Sequence, residues 1–148
     1  MLPVSKVVVG IIPVSLTAGA TNSSSVPPMD TLGYKVAVVD VVASAADVVS
    51  NKPTVLKLQE ADVTNDSSFA DVTGYVGGTD FVIPNALTST TLTNISRMVV
   101  PLQARKRYLR LKYSPQTTQL VFAGASLFRG EQSATNAAQA GVAVLIGG

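Results

Sequence analysis

The sequence predicts an all-β protein: a β-sandwich of the jelly-roll kind, with extended arms at its N- and C-terminal ends. Three observations lead to this prediction. Valine and threonine, which favour sheets over helices, are abundant in a chain of 148 residues that is 47% hydrophobic. Proline, glycine, serine and asparagine divide the chain into short apolar segments spaced about 8 to 12 residues apart. No long segment shows the 3.6-residue period of an amphipathic helix.

The length of the chain fits one domain, residues 1–148. Within it we expect an N-terminal strand and arm over residues 1–30, a sandwich core over residues 31–128 and a C-terminal arm over residues 129–148. Only 14% of the residues are charged, which predicts a surface poor in solvated groups. Such a surface suits a subunit that stays in contact with other subunits.

The first twenty residues share some features with a signal peptide: a basic residue, an apolar run and small residues that could precede a cleavage site. The apolar run is interrupted by Gly10 and Pro13, and it is shorter than the about 20 residues that cross a bilayer. We therefore expect an N-terminal strand over residues 6–12 and no contact with a membrane. Residues 17–30 are polar and bounded by proline, so we expect a loop or arm there.

The alternation of apolar and polar residues, and the positions of proline, glycine, serine and asparagine between the apolar segments, predict seven or eight short strands in all. Residues 34–42 are almost continuously apolar, which predicts a central strand. Residues 54–60 alternate, with Leu56 and Leu58 on one face, so they predict a half-buried strand that forms a hairpin with residues 69–74. Residues 41–50 stay open between a helical turn and a strand. Further strands are expected at residues 80–83, 88–100, 106–113 and 119–128, with turns marked by Pro84, Pro101 and Pro115.

The residue types that the chain lacks narrow its chemistry. The sequence has no histidine, no cysteine and no tryptophan, so it offers no Ser-His-Asp or Cys-His nucleophile, no disulfide and none of the usual ligands of zinc, copper or iron. We expect no enzyme activity and no cofactor. Asp62 and Asp66 could supply oxygen ligands to calcium, but their spacing lacks the EF-hand pattern, and Asx-turn chemistry explains both residues without a metal.

The densest cluster of charge is RKRYLRLKY at residues 105–113, which holds five of the eleven basic residues. On a strand, alternation turns Leu109 and Leu111 toward the core and directs Tyr108, Arg110 and Lys112 outward. A platform for nucleic acid would carry its charges on one face and more aromatic residues than this chain has. We therefore expect the three outward residues to meet a partner protein or solvent, and no direct contact with nucleic acid.

The C-terminal tail is the second candidate for partner binding. An apolar chain end must be buried on its own core or on a neighbour. Together with residues 1–12, the tail is the segment best able to add a strand to the sheet edge of another subunit. Its apolar residues are Val142, Val144, Leu145 and Ile146.

Two stretches, LKLQEADVTNDSSFADVTG at residues 56–74 and RKRYLRLKYSPQTTQLVFAGASLF at residues 105–128, resemble the small head-decoration or cement proteins of tailed bacteriophages. The resemblance covers less than a third of the chain. It implies a protein made in the host cytoplasm that binds the outer surface of the capsid in the virion. There it would bridge neighbouring copies of the major capsid protein, stabilise the head and assemble as a homo-oligomer, either a dimer or a trimer.

Two other classes of function stay open. One is a coat or tail-tube subunit that assembles by itself, which self-assembly of the purified chain would distinguish. The other is a β-sandwich of a virion appendage that binds a carbohydrate or a receptor. Sugar binding usually uses exposed aromatic side chains, and the chain lacks tryptophan, the best of them.

Overall fold

The computed structural model describes residues 5–21, 27–44, 52–84 and 95–129. Within these ranges no helix has the length and apolar content needed to cross a membrane. A single 3-10 turn, Asp66–Ser68, is capped by Asn65, whose side chain accepts a hydrogen bond from the amide of Ser67. The described strands are β1 (Ser5–Leu16), β2 (Met29–Asp30), β3 (Val36–Ala43), β4 (Val55–Ala61), β5 (Ala70–Val76), β6 (Ile95–Pro101), β7 (Tyr108–Ser114) and β8 (Gln119–Phe128).

The strands form two antiparallel sheets of four strands each. The first sheet has the order β1-β8-β3-β6, and the second has the order β2-β7-β4-β5. Counted from the two ends of the chain, strands pair in nested fashion: β1 with β8, β2 with β7, β3 with β6, and β4 with β5. This is the pairing of one long hairpin folded over into two sheets, the jelly-roll arrangement. The predicted β-sandwich of the jelly-roll kind is confirmed.

The hydrophobic core lies between the two sheets, because successive side chains of a strand point to opposite faces. β8 shows the alternation over its whole length, with Val121 and Leu127 buried and Leu120 and Phe128 exposed. β4 and β7 alternate as the sequence predicts. The largest side chains with almost no exposed area are Ile11, Val39, Val41, Leu56, Leu58, Val72, Val100, Leu109, Leu111, Val121 and Leu127.

β1 is longer than predicted, since it continues past Pro13 to Leu16. The strand lies at the edge of the first sheet, and its register against β8 shifts between Val9 and Ile11 and again between Ile11 and Val14. A proline is tolerated there because its missing amide hydrogen falls in an irregular part of an edge strand. The prediction that the strand ends at residue 12 is therefore wrong.

β3 occupies the predicted central position, between β8 and β6. Its burial nevertheless alternates: Ala37, Val39 and Val41 are buried, whereas Val38 and Val42 face outward. No further layer formed by the described residues covers the outward face of β3, so burial on both faces does not explain the almost continuous apolar run. It shows instead that the outward face of this strand is apolar too.

Two further predictions are corrected. Residues 80–83 form no strand, because Asp80 turns the chain by accepting hydrogen bonds from the amides of Gly74 and Val76, which leaves only an isolated bridge between Gly77 and Phe81. Pro101 is the last residue of β6 rather than part of a turn. Residues 45–50 and 85–94 lie outside the described residues, as does the C-terminal arm beyond residue 129, so the predictions made there stay predictions.

Candidate interaction surfaces

The outward side chains of the first sheet form a largely apolar surface across all four strands, which we call the apolar face. Val7 is 77% exposed, Val99 55% and Ile95 50%. These exposed apolar side chains make the face a candidate surface for contact with another protein. Cross-strand register aligns its members in rows: Val7, Ser126, Val38 and Val99; Val9, Gly124, Asp40 and Arg97; and Phe122, Val42 and Ile95.

In the middle of the apolar face, the ring of Phe122 lies close to Gly124. A β-carbon added at Gly124 would stand 3.2 Å from Cζ of Phe122, closer than nearly all real contacts of this kind. The missing side chain at position 124 thus leaves room for the aromatic ring beside the sheet.

One ion pair interrupts the apolar face. Nε of Arg97 donates to Oδ1 of Asp40 at 2.6 Å, and Nη2 donates to Oδ2 at 2.8 Å. The hydrogen bonds from Arg97 lower the pKa of Asp40, and those to Asp40 raise the pKa of Arg97. The two residues are direct cross-strand partners on β3 and β6. The pair is neutral as a whole, but it gives the face one positive and one negative point.

The outward face of the second sheet is polar. The three residues predicted to contact a partner lie there on β7, where Tyr108, Arg110 and Lys112 are all partly exposed. Leu109 and Leu111 are buried, as the alternation predicts. The structure therefore groups the three predicted residues on one surface.

Arg110 is held by its own chain. Its Nε donates to Oε1 of Gln59 at 2.8 Å, and Nη1 pairs with the carboxylate of Asp66. The guanidinium also lies 4.2 Å from the ring centroid of Phe69. These contacts tie β7 to the turn between β4 and β5. Arg110 therefore fixes that turn, and little of its hydrogen-bonding capacity is left for a partner.

Lys112 differs from Arg110 because its ammonium group forms no hydrogen bond or ion pair with the described part of the chain. Its cross-strand neighbour Lys57 is paired instead with Asp71 at 2.8 Å. Burial lowers the pKa of Lys112, and the positive charge of Arg110 lowers it further. Of the three predicted residues, Lys112 has the most to gain from an acidic group on a partner.

Tyr108 is covered on one side by the neighbouring arginine. The guanidinium of Arg107 lies 4.9 Å from the ring centroid of Tyr108 and pairs with Asp30 at 2.8 Å. The hydrogen bond from Arg107 lowers the pKa of Asp30. Because Asp30 and Tyr108 are cross-strand partners on β2 and β7, the stack forms one corner of the second sheet.

The candidate calcium ligands and the cavity near Asp80 offer no further binding site among the described residues. Asp66, one of the two candidate calcium ligands, is paired with Arg110, and the described residues contain no group of three or more acidic side chains that could hold a metal ion. A cavity of about 660 Å³ is lined by Lys52, Asp80 and Gln116 among others. The Asp80 carboxylate there already accepts two backbone hydrogen bonds. The predicted contact residues Val142, Val144, Leu145 and Ile146 lie outside the described residues.

Comparisons of the chain with protein-family models, with curated proteins and with solved structures found no match. The sequence predicted a surface poor in charge but not its location. The signal that could have located it is β3, where residues 36–42 are apolar on both alternating faces except at Asp40.

Proposed function

We propose that the protein is a structural subunit of a virus particle, a decoration protein that binds the outside of a phage capsid and bridges neighbouring major capsid proteins. The observation that carries the proposal is the apolar face, which covers one whole side of a jelly-roll sandwich. Jelly rolls occur in viral capsid domains and also in lectins, so the fold alone does not select the function. An apolar face of this breadth suits a subunit in lasting contact with other proteins.

The positions of the two chain ends support a bridging role. Ser5 and Phe128 are cross-strand partners at one end of the first sheet. The segments before Ser5 and after Arg129 therefore begin at neighbouring points. Two arms that start side by side can reach the same surface, and the apolar residues 142–146 give one of them a means of attachment.

The arms and the polar face are further surfaces that we assign to contact with the capsid, beside the apolar face. On the polar face, Lys112 has no partner among the described residues and suits an acidic patch on the shell. Each such contact is weak by itself, but several contacts on one particle add through high effective concentration. A decoration protein can therefore bind firmly without one large interface.

The test is binding of the purified full-length protein to phage heads that lack it, measured by co-sedimentation and by cryo-electron microscopy. We expect the protein to sediment with the heads and to give density outside the shell. A chain without residues 141–148 is expected to stay folded and to sediment with the heads less. Val82→Asp is the matched control, because Val82 is 85% exposed in the loop after β5, away from the apolar face.

Two results would contradict the proposal. Failure of the full-length protein to bind heads would remove the decoration role. Assembly of the purified chain into closed shells or tubes would indicate a coat or tail-tube subunit instead. Normal decoration by the shortened chain would leave the decoration role intact and remove only the role given to the tail.

A further inference from the structure

We infer that the free edge of β1, at residues 5–9, pairs with the same edge of a second copy of this chain. The two first sheets then join into one continuous antiparallel sheet, with a two-fold axis perpendicular to it. The inference goes beyond the proposed function, because it specifies a surface of self-association and its symmetry. It does not depend on a capsid, since it is argued from the backbone geometry of the first sheet.

The hydrogen bonds of the first sheet show which backbone groups of β8 face each neighbouring strand. The amide of Ser44, just after β3, donates to the carbonyl of Leu120 on β8. These two residues continue the register in which β3 and β8 pair. Backbone groups alternate in direction along an antiparallel strand. The even-numbered residues of β8 therefore direct their amides and carbonyls to β3, and the odd-numbered residues direct theirs to β1.

The same alternation leaves free backbone groups on β1 at Ser5, Val7 and Val9. Lys6 and Val8 lie opposite odd-numbered residues of β8, so their amides and carbonyls are the ones that face β8. The three residues beside them direct their amides and carbonyls to the free edge, where no described strand lies. All three are exposed. A row of unpaired backbone groups of this kind is a template for another strand.

The other free edges of the two sheets are blocked, short or irregular. On β6, the carbonyl of Val99 accepts a hydrogen bond from Tyr75, and Pro101 has no amide hydrogen to donate. β2 has only two residues, and the register of β5 against β4 is irregular. The second half of β1 contains Pro13 and two shifts of register. Among the described strands, residues 5–9 are thus the longest regular stretch of edge that nothing blocks.

This edge is complementary to itself in one register. When Val7 lies opposite Val7 of the second copy, Ser5 lies opposite Val9, and the donors and acceptors of all three residues form about six hydrogen bonds. Moving the axis by one residue toward the N-terminus places Val9 opposite Pro3, which has no amide hydrogen, and Lys6 opposite Lys6. Moving it the other way places Ser5 opposite the irregular part of β1.

The side chains favour the same arrangement. Val7 is 77% exposed and Val9 42%, and both lie on the apolar face, so pairing sets apolar residues of one copy beside those of the other. Lys6, the single charged residue of the segment, lies opposite Val8 of the second copy, so the two lysines are not direct partners.

The C-terminal tail, with its apolar residues 142–146, is the other strand that this chain offers to the edge. An added tail would still present its own outer side as a new free edge. Pairing of two β1 strands leaves no unpaired backbone groups at residues 5–9 of either copy. A second copy therefore removes the free edge, whereas the tail only moves it outward.

The first test is the mass of the full-length protein, measured by sedimentation equilibrium from about 5 to 500 μM, since a short edge gives modest affinity. We expect a concentration-dependent mass that approaches twice 15.3 kDa. Val7→Pro removes the central amide donor of each copy and no hydrogen bond to β8, so it should raise the dimer dissociation constant roughly 30-fold.

Val99→Pro is the matched control for this substitution. Val99 lies in the same cross-strand row of the apolar face as Val7, but its amide faces the opposite free edge of the sheet. The control should leave the dissociation constant unchanged, and circular dichroism checks that both variants fold. A chain without residues 141–148 should dimerise as the wild type does.

The second test reads the register with a disulfide, because the chain has no cysteine of its own. Lys6 and Val8 of the second copy form a non-hydrogen-bonded pair, whose Cα atoms are about 4.5 Å apart, within the range of a disulfide. An equimolar mixture of Lys6→Cys and Val8→Cys should cross-link under mild oxidation. Each variant alone should cross-link much more slowly, because its two cysteines are not opposite each other.

Four results would overturn the inference: a wild-type chain that stays monomeric at about 500 μM, equal weakening of the dimer by Val7→Pro and Val99→Pro, loss of the dimer when residues 141–148 are removed, and equal cross-linking of the mixture and of either cysteine variant alone. The second result would indicate contact through the apolar face, and the third would indicate the tail as the added strand. Failure of the protein to bind heads would leave the dimer unaffected and would count against the proposed function alone.

Discussion

The hydroxyl of Tyr75 on β5 donates a hydrogen bond of 2.6 Å to the backbone carbonyl of Val99 on β6. The two strands are edge strands of opposite sheets, so this bond joins the sheets along one side of the sandwich. It also occupies an acceptor on the exposed edge of the first sheet, where unpaired backbone groups can recruit another strand. The side chain of Val99 meanwhile lies on the apolar face. One residue therefore takes part both in the contact between the two sheets and in the apolar face.

Replacement of Tyr75 by phenylalanine should lower the free energy of unfolding by about 1 kcal/mol, because the ring stays and only the hydrogen bond is lost. The measurement is urea denaturation at pH 7. Tyr34→Phe is the control, since the hydroxyl of Tyr34 makes no hydrogen bond within the described part of the chain. Equal effects of the two substitutions would show that the bond between the sheets contributes nothing.

Gly77 and Gly10 offer a matched pair that tests packing. A β-carbon at Gly77 would lie 2.5 Å from Cγ1 of Ile83 and 2.6 Å from the carbonyl oxygen of Leu56, so Gly77→Ala should cost about 1 to 3 kcal/mol. At Gly10 the nearest atoms would be 3.6 Å away, so Gly10→Ala should be neutral or slightly stabilising. Thermal denaturation of both variants measures the difference. A Gly77→Ala protein as stable as the wild type would contradict the prediction.

Substitution of Arg110 should affect mainly the stability of the fold, whereas substitution of Lys112 should affect mainly binding to heads. Arg110→Ala removes the hydrogen bond to Gln59, the pair with Asp66 and the contact with Phe69, so we expect a loss of about 1 to 2 kcal/mol in the free energy of unfolding. Lys112→Ala should leave that free energy almost unchanged and reduce binding to heads. Urea denaturation and co-sedimentation measure the two effects. A reversed pattern would show that the roles are exchanged.

Stability should be constant between about pH 5 and 8, because the chain has no histidine. Hydrogen bonds from Arg107, Arg97 and Lys57 lower the pKa values of Asp30, Asp40 and Asp71, respectively, below the ordinary 3.8. Their stabilisation is complete above that value and is lost as the pH falls through the lower folded values.

The measurement for this acid limb is the urea midpoint from pH 2 to 8. Asp71→Asn should flatten the decline below pH 4, because asparagine cannot be protonated in that range. We expect assembly on phage heads to be equally independent of pH between about pH 5 and 8, since the chain has no histidine. A steep change of stability or assembly in that interval would contradict the prediction.

At alkaline pH the stability should depend on Tyr113. Burial raises its pKa to about 12, and its hydroxyl donates to Oε1 of Gln119 at 3.0 Å. The neutral hydroxyl is favoured in the fold, so its stabilisation is complete below about pH 10 and is lost as the pH rises through about 12, by at most about 3 kcal/mol. Urea denaturation from pH 8 to 12 should show a steeper loss for the wild type than for Tyr113→Phe. Equal losses of stability in the wild type and in Tyr113→Phe would contradict this prediction.

Much of the local structure could be predicted because it depends on neighbouring residues. Alternation along β4 and β7 indicated which side chains are buried, and the predicted range of β8 matches the observed one. Predictions failed where a distant contact outweighs the local signal. Pro13 does not end β1, because pairing with β8 continues on both sides of it. β8 is more than a hundred residues away in sequence, so the local pattern does not show this pairing. Asp80 turns the chain at a segment whose residues 80–83 look like a strand.

The candidate surfaces were predicted unevenly for the same reason. The outward direction of Tyr108, Arg110 and Lys112 follows from the two-residue period of a strand. Arg110, however, is bound by Gln59, Asp66 and Phe69, and nothing in the local sequence indicates those partners. Among these three residues, the structure therefore favours Lys112 as the candidate for contact with a partner.

The sequence by itself determined that the protein is built from short strands, that it lacks histidine and cysteine chemistry, and that its surface is poor in charge. Composition and alternation are local properties, and they act before the chain is folded. Only the tertiary structure decided that β1 lies beside β8 and that the outward side chains of four distant strands meet in one apolar face. Strand order depends on non-local hydrogen bonds, and the same alternating pattern can satisfy many pairings.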